Sequence, residues 1–242
     1  MSLTEQEIVR YSRHIILPEV GGRGQRKLKA ASVLLAGLGA AGSATGLYLA
    51  AAGIGRLTLW DPGLLTPHDL ESGIAHDAAR VGMPRARSAA EALKRVNPDA
   101  VIDVLDRESD VVGTVPAHQV VLASMGDWAD LGAAARKSGI VAVLCGVHGA
   151  TGAVGAFRTD TPCLTCLGIE RARSLGLQPE GGAEAIAAAA GVIGVVAATE
   201  AVKLILGIGT PLTGRVLLYD GWNAAFREEA YERNPGCPVC GG

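Results

Sequence analysis

The chain is short of aromatic side chains, has no dense run of one charge sign, and has no apolar run long enough for a bilayer. Phe, Trp and Tyr together make up 4% of 242 residues, so the interior must be built from Val, Leu, Ile and Ala. With 49% of residues apolar, that supply is ample for one α/β domain and excludes a disordered or fibrous chain. The 22 basic residues nearly balance 24 acidic ones, with a formal net charge of -2, and form no stripe that could track phosphates. A nucleic-acid partner is therefore not expected. The longest apolar stretch, residues 185–198, is rich in Ala and Gly. It falls short of the ~20 residues that span a membrane and reads as a buried helix. The opening MSLTEQEIVRYSRH lacks the apolar segment of a secretory signal, which places the expected location in the cytosol. In that reducing compartment disulfides are not the natural use of five cysteines. Four of them form two Cys-x-x-Cys pairs, Cys163/Cys166 and Cys237/Cys240, and Cys145 stands apart.

Residues 1–30 read as an amphipathic arm. Ile8, Tyr11, Ile15 and Ile16 recur at helical spacing before Pro18 and an expected Gly-rich turn at Gly21, Gly22 and Gly24. Residues 32–36, Ser-Val-Leu-Leu-Ala, are a short apolar run of the kind buried on both faces of a parallel sheet. A small-residue helix over 43–52 and a strand over 56–60 complete a βαβ unit. Alternation continues with a helix from Pro84 to about 96, strands at 101–105 and 120–123, a helix over 129–137 and a strand at 140–144. This pattern predicts a Rossmann-like, doubly wound, mostly parallel α/β sheet. Beyond it come a hairpin or crossover loop over 146–158, a helix over 192–206, and two alternating segments at 215–219 and 225–231 that predict antiparallel strands. Glu200 and Lys203 read as a surface pair on neighbouring turns. No linker is visible, so 1–242 is expected as a single unit, made of the arm (1–30) and two halves, 31–145 and 146–242.

Gly37, Gly39 and Gly42 spell G-x-G-x-x-G between a buried strand and a helix. The first glycine permits a tight turn, the second lets backbone approach a phosphate, and the helix start offers unpaired N–H groups and a positive dipole end. Asp61, nineteen residues after Gly42, ends the next strand, where a carboxylate can accept from a ribose. The alternative use of such glycines is helix–strand packing alone, and the motif does not separate ATP from NAD. Two Cys-x-x-Cys pairs beside turn-forming Pro162 and Pro238 suit the four-thiolate tetrahedron of structural zinc. Redox thiols or four unrelated cysteines are the competing readings. A closed four-sulfur shell has no open position, so the metal would tie the tail to the middle of the chain rather than catalyse. The five histidines show no triad or metal spacing, and Cys145, ending an apolar strand, reads as a buried hydrophobe.

Several segments together resemble the ThiF/MoeB/HesA branch of the ubiquitin-activating-enzyme-like superfamily. They are Arg10-Tyr-Ser-Arg13-His-Ile-Ile-Leu, the glycine loop, Pro162-Cys-Leu-Thr-Cys166, Gly191-Val-Ile-Gly194 through Glu200-Ala-Val-Lys203, and Asn234-Pro-Gly-Cys-Pro-Val-Cys240-Gly. The resemblance implies a homodimer that uses ATP and Mg2+ to adenylate the C-terminal glycine of a small ubiquitin-like sulfur-carrier protein. It also implies that Arg13 reaches the phosphates across the dimer and that Arg85 stands where the family has a catalytic lysine. As alternatives, Arg13 pairs at a dimer surface and Arg85 is a solvated charge in its helix.

This chain departs from the family in several places. The family's Asn-Leu-x-Arg is Asp69-Leu-Glu-Ser72, which keeps Asp69 at the pocket and loses a phosphate-binding arginine. The Thr-Asp-Asn stretch that helps hold magnesium is Ser124-Met-Gly126-Asp127-Trp128, leaving Asp127 as the substitute or as a helix cap. Residues 187–190 are alanines where some relatives place a sulfur-transfer cysteine. These changes define the second reading, a weakened family member that binds nucleotide or carrier without turnover. An NAD-dependent oxidoreductase shares the glycine loop but accounts for neither cysteine pair.

Overall fold

A computed structural model describes residues 2–107, 109–124, 128–177 and 185–241, without the side chains of residues 128 and 169. Three helices open the chain, α1 (Glu5–Arg10), α2 (Ser12–Ile15) and α3 (Gly21–Ala30). A capping box fixes the first, with Thr4 and Glu7 each accepting from the other's backbone N–H. The glycines expected to make a turn instead lie inside α3. A Cβ on Gly24 would stand 3.1 Å from Val20 and 3.3 Å from Leu206, so close helix packing is the use of this glycine, while Gly21 takes a left-handed φ of +56 at the helix start.

The alternating region follows as β1 (Ser32–Ala36), α4 (Ala40–Ala52), β2 (Arg56–Trp60), α5 (Arg85–Val96), β3 (Val101–Val104), the short α6 (Val111–Thr114), β4 (Val120–Ala123), α7 (Trp128–Lys137) and β5 (Val141–His148). Then come β6 (Thr151–Phe157), the short α8 (Leu164–Leu167) and α9 (Ile169–Ser174), α10 (Ala187–Leu206), β7 (Arg215–Asp220) and β8 (Ala225–Ala230). One eight-stranded sheet results, in the order β3-β2-β1-β4-β5-β6-β7-β8. Its first five strands are parallel and the last three join antiparallel. The expected loop over 146–158 is the β5–β6 hairpin, turned at Gly149 with φ +57.

Strand β1 shows why its sequence is apolar throughout. Val33 and Leu35 enter the core formed with α4, α5 and α10, while Leu34 and Ala36 enter the core on the opposite face, with Leu131 of α7 and Val216 of β7. Helix α10 joins the expected helix over 192–206 to most of the stretch at 185–198 expected as a buried helix, and is 20 residues long, by length and composition enough to cross a membrane. In this fold it packs against α4, β5 and β6 instead. A Cβ on Gly194 would lie 2.3 Å from the Ala41 carbonyl, and Thr45 Oγ1 donates to the Gly194 carbonyl at 3.0 Å. Glu200 is likewise not on the surface. It is 2% exposed and accepts from the Leu212 N–H and from Lys203 Nζ, both at 2.5 Å, so it satisfies a buried backbone donor.

Strand order reverses between β1 and β4, and in open α/β sheets the crevice outside the carboxyl ends at that point is where ligands bind. The glycine loop follows β1 there, and Ser124 follows β4.

Candidate functional site

The loop from Gly37 to Gly42 is held from three sides. Gly37 has φ +89, a left-handed value that favours glycine. Its carbonyl accepts from Ser124 Oγ at 2.8 Å, which ties the loop to β4. A Cβ on Gly42 would sit 1.9 Å from that same carbonyl oxygen, so this glycine is required by packing alone. Gly39 differs, because a Cβ there would meet nothing within 4 Å. The first turn of α4 begins at this residue, with Ser43 N–H donating to the Gly39 carbonyl. The backbone at this helix start thus borders open space at Gly39, as an anion site requires.

Behind the loop lies a charged network. Asp61 is fully buried; its Oδ2 accepts from the Leu38 N–H at 2.8 Å and its Oδ1 from the Gly63 N–H at 2.7 Å. Arg85, at the start of α5, places Nη1 3.4 Å from Asp61 Oδ1 and Nε 3.1 Å from Asp69 Oδ1. The second contact is an ion pair out of line with the N–H direction, since Nε makes no hydrogen bond. Asp69 Oδ2 accepts from the Thr66 hydroxyl and N–H, both at 2.7 Å. Burial raises its pKa, but these bonds and the Arg85 charge outweigh that and hold the carboxyl below its usual range. Arg85 is therefore bound into the protein by two carboxylates rather than solvated. Asp61 spends its oxygens on the loop, on Gly63 and on Arg85.

Among the described residues, none of the other anticipated ones makes a hydrogen bond or ion pair with this cluster. Arg13 is exposed on α2, with no hydrogen bond or ion pair among the described residues. Around it Ile8, Val9, Ile16 and Leu17 are exposed, an unusual apolar density for an arm of this length. Ser72 is half-buried. Asp127 and Gly126 lie outside the described residues. Cys145 is 1% exposed, and burial pushes its thiol up to about 12, which makes it inert at neutral pH. Two contributors had escaped the sequence reading. Ser124 could have been found from its place after β4 at the switch point; His76, which donates to the Leu38 carbonyl, had no such signal.

The four paired cysteines converge although seventy residues separate Cys166 from Cys237. Their sulfurs all lie within 4.8 Å of one another. Neighbouring pairs are 3.8 Å apart (Cys163–Cys166), 3.6 Å (Cys163–Cys237) and 3.2 Å (Cys166–Cys240). A tetrahedron with ~2.3 Å zinc–sulfur bonds has edges of about 3.8 Å, so the donor set fits Zn2+ and excludes disulfides, whose sulfurs lie ~2.05 Å apart. Each pair sits on a tight turn, with Cys166 N–H donating to the Cys163 carbonyl and Gly241 N–H to that of Cys237. Backbone N–H groups of Asn234 and Val239 point at the sulfurs of Cys166 and Cys237, the bonding that thiolates favour.

A concavity lies at the carboxyl ends of β5 and β7. It has a volume of about 480 Å³ and is lined by His148 and Thr151 of the β5–β6 hairpin, Gly176, Tyr219, Asp220 and Arg227. Trp222, 74% exposed, and Phe226, 52% exposed, stand on the neighbouring β7–β8 hairpin.

Comparison with known proteins is consistent along the chain. Residues 11–239 match the ThiF family. The molybdopterin-synthase adenylyltransferase of Salmonella typhimurium is 35% identical over 247 residues, covering 99% of this chain and 98% of that protein. The SAMP-activating enzyme E1 of Haloferax volcanii is 34% identical, covering all of this chain and 92% of its own length. The sulfur carrier protein adenylyltransferase of Thermus thermophilus is 35% identical over 100% of this chain and 93% of its own. Among solved structures, E. coli MccB with ATP superposes with a TM-score of 0.82 at 19% identity, over 96% of this chain and 73% of that one, a likeness of fold.

Proposed function

The chain belongs to the ThiF family, and from that premise we propose that it adenylates the C-terminal glycine of a ubiquitin-like sulfur-carrier protein at the expense of ATP. The observation that carries this reading is the end-to-end match to proteins named for that activity. The open face at Gly39 supports it, because nothing in the protein itself forbids a side chain there.

In this reading a carrier carboxylate oxygen attacks the α-phosphorus of ATP, the bond to the bridging oxygen of the β-phosphate breaks, and pyrophosphate departs. No covalent protein intermediate is needed, so the chain contributes placement and charge. The N–H groups at the start of α4 face the phosphates. Arg85 supplies a cation once the nucleotide competes for it with Asp61 and Asp69, and Asp61 can turn to the ribose in the same exchange. Arginine spreads its charge over a planar fork, so positioning differs from that of the family's lysine. Asp127 is the residue proposed to hold Mg2+, which would neutralise phosphate charge. Cys163, Cys166, Cys237 and Cys240 would hold Zn2+ as a structural tie. The division into a nucleotide half at 31–145 and a carrier and zinc half at 146–242 follows, with the carrier's tail entering the cavity beside His148 and its body resting near Trp222 and Phe226. The exposed apolar arm around Arg13 suits a homodimer in which Arg13 serves the partner's phosphates. Four reduced thiols fit a cytosolic location.

A specific observation favours the second reading, a binder without turnover. Arg85 is held by two carboxylates, and Ser72 offers no second cation. Pyrophosphate–ATP exchange with purified carrier proteins separates the two. Carrier-dependent exchange supports adenylation; tight carrier binding without exchange supports the binder.

A further inference from the structure

Among the described residues His76 is the one histidine hydrogen-bonded to the glycine loop, and the function described above makes no use of it. It lies on the segment between two anchors of the site, Asp69 and Arg85. Its Nε2 is 2.8 Å from the Leu38 carbonyl oxygen and its Nδ1 is 2.9 Å from Ser88 Oγ on α5. A carbonyl only accepts, so Nε2 carries the proton and, in the neutral ring, Nδ1 accepts from the Ser88 hydroxyl. Ser88 is fully buried, and Ser43 Oγ adds a second donor to the Leu38 carbonyl at 3.1 Å. The ring itself is wedged: a Cβ on Gly73 would lie 2.7 Å from its Cδ2.

The Leu38 carbonyl shares a peptide plane with the Gly39 N–H. In a trans peptide those two groups point in opposite directions. Drawing the carbonyl inward to His76 therefore aims the Gly39 N–H outward. This N–H has no acceptor among the described residues, and a Cβ built on the same residue meets nothing within 4 Å, so the backbone at Gly39 is uncovered. On the other side of the same residue, Asp61 holds the Leu38 N–H. Both peptide planes flanking Leu38 are thus fixed from below, by a carboxylate and an imidazole on different segments.

We propose that His76 is a positioning residue for nucleotide binding: as the neutral ring protonated on Nε2, it presets the Gly39 N–H toward the phosphates of ATP. The inference rests on the adenylation reading for the identity of the ligand, though not for the clamp itself. Around the ring lie Asp69, Asp61 and Arg80, two carboxylates and one guanidinium, and burial favours the neutral form.

The test has two independent arms. Nitrogen NMR of the protein labelled at histidine reports the His76 tautomer without any ligand. A neutral ring protonated on Nε2 is expected, and protonation on Nδ1 would overturn the clamp. The second arm measures ATP and carrier affinities of His76→Leu and His76→Gln by calorimetry. Leucine removes the donor and glutamine keeps an N–H at the Nε2 position. His76→Leu should bind ATP roughly tenfold more weakly, the scale of one neutral hydrogen bond, with unchanged carrier affinity; His76→Gln should recover most of the loss. Equal loss of ATP affinity in both variants, or loss in neither, overturns the proposal. Should His76→Leu fail to fold, the ATP affinity of His76→Gln decides, with an affinity near that of the wild type expected and a loss of about tenfold or more contrary. A wild-type protein that binds no ATP removes the adenylation reading, while the tautomer still decides the clamp.

Discussion

Gly39 and Gly42 lie three residues apart in one motif, and the structure assigns them opposite duties. Adding a methyl group separates those duties. In Gly42→Ala the new Cβ would stand 1.9 Å from the Gly37 carbonyl oxygen and 2.6 Å from Ser124 Oγ. Those two atoms are hydrogen-bonded to each other, so neither yields freely. Helix α4 cannot retreat either, since its Ala41 carbonyl already closes on Gly194 of α10. Overpacking of this kind costs on the order of 3 kcal/mol, and in a chain of this size that lowers Tm by roughly 6–12 °C. Gly39→Ala meets no atom, and the exchange at a helix N-cap costs at most about 1 kcal/mol. Yet its methyl group fills the space through which a phosphate would approach the backbone, so ATP affinity should fall more than about tenfold, over 1.4 kcal/mol of binding. Thermal melts without ligand and ATP titrations by calorimetry read the two effects. A Gly39→Ala protein that binds ATP as tightly as wild type would refute the reasoning, as would a Gly42→Ala protein with an unchanged Tm.

Other expectations follow from the remaining buried groups. Cys237→Ser should cut zinc from one per chain to a small fraction and lower Tm by roughly 5–10 °C, if tying the tail down is worth about 2.5 kcal/mol; elemental analysis and a melt check it. Glu200→Ala strands the buried Leu212 N–H and should cost about 1–3 kcal/mol in a denaturant titration, while Glu200→Gln, which keeps an acceptor, should cost less. Stability should also fall on mild acidification. Burial lowers the pKa of His76 and of His118, whose nitrogens contact the Thr114 carbonyl and Thr58 Oγ1. The unfolded rings take up protons near pH ~6.5. The stabilisation from keeping them neutral is therefore complete above that pH and is lost as pH falls through it toward the folded values. His118→Gln should flatten the decline in denaturation midpoint between pH 7 and 5.5, and an unaltered slope would count against the assignment.

Much of the fold was legible because its signals are local. Strands β1, β2 and β4 have the expected bounds; β1 and β4 are short apolar runs with few other uses in an α/β chain, and β2 alternates between a glycine stop and Asp61. The cysteine pairs were legible because their chemistry dictates their meeting. What escaped depends on distant partners. Gly24 reads as a turn residue until Leu206 is seen against it, and Glu200 reads as exposed until the unpaired Leu212 N–H is placed beside it. The alanines at 187–190 carry no periodic signal, so the sequence showed a buried helix at 185–198 and a helix over 192–206 without showing that the two are one element. At the site, the glycine loop was readable, whereas the pairing of Arg85 with both Asp61 and Asp69 comes from the fold alone.

The central claim is a chemical event on a carrier's terminal carboxylate, and intact-mass spectrometry of that carrier observes it directly. Incubated with this protein, ATP, Mg2+ and pyrophosphatase, a cognate carrier should gain the mass of one adenylyl group on its last residue, and Arg85→Ala should abolish the gain. No added mass on any sulfur carrier from the same organism, by a protein shown to be folded and saturated with ATP, would contradict it.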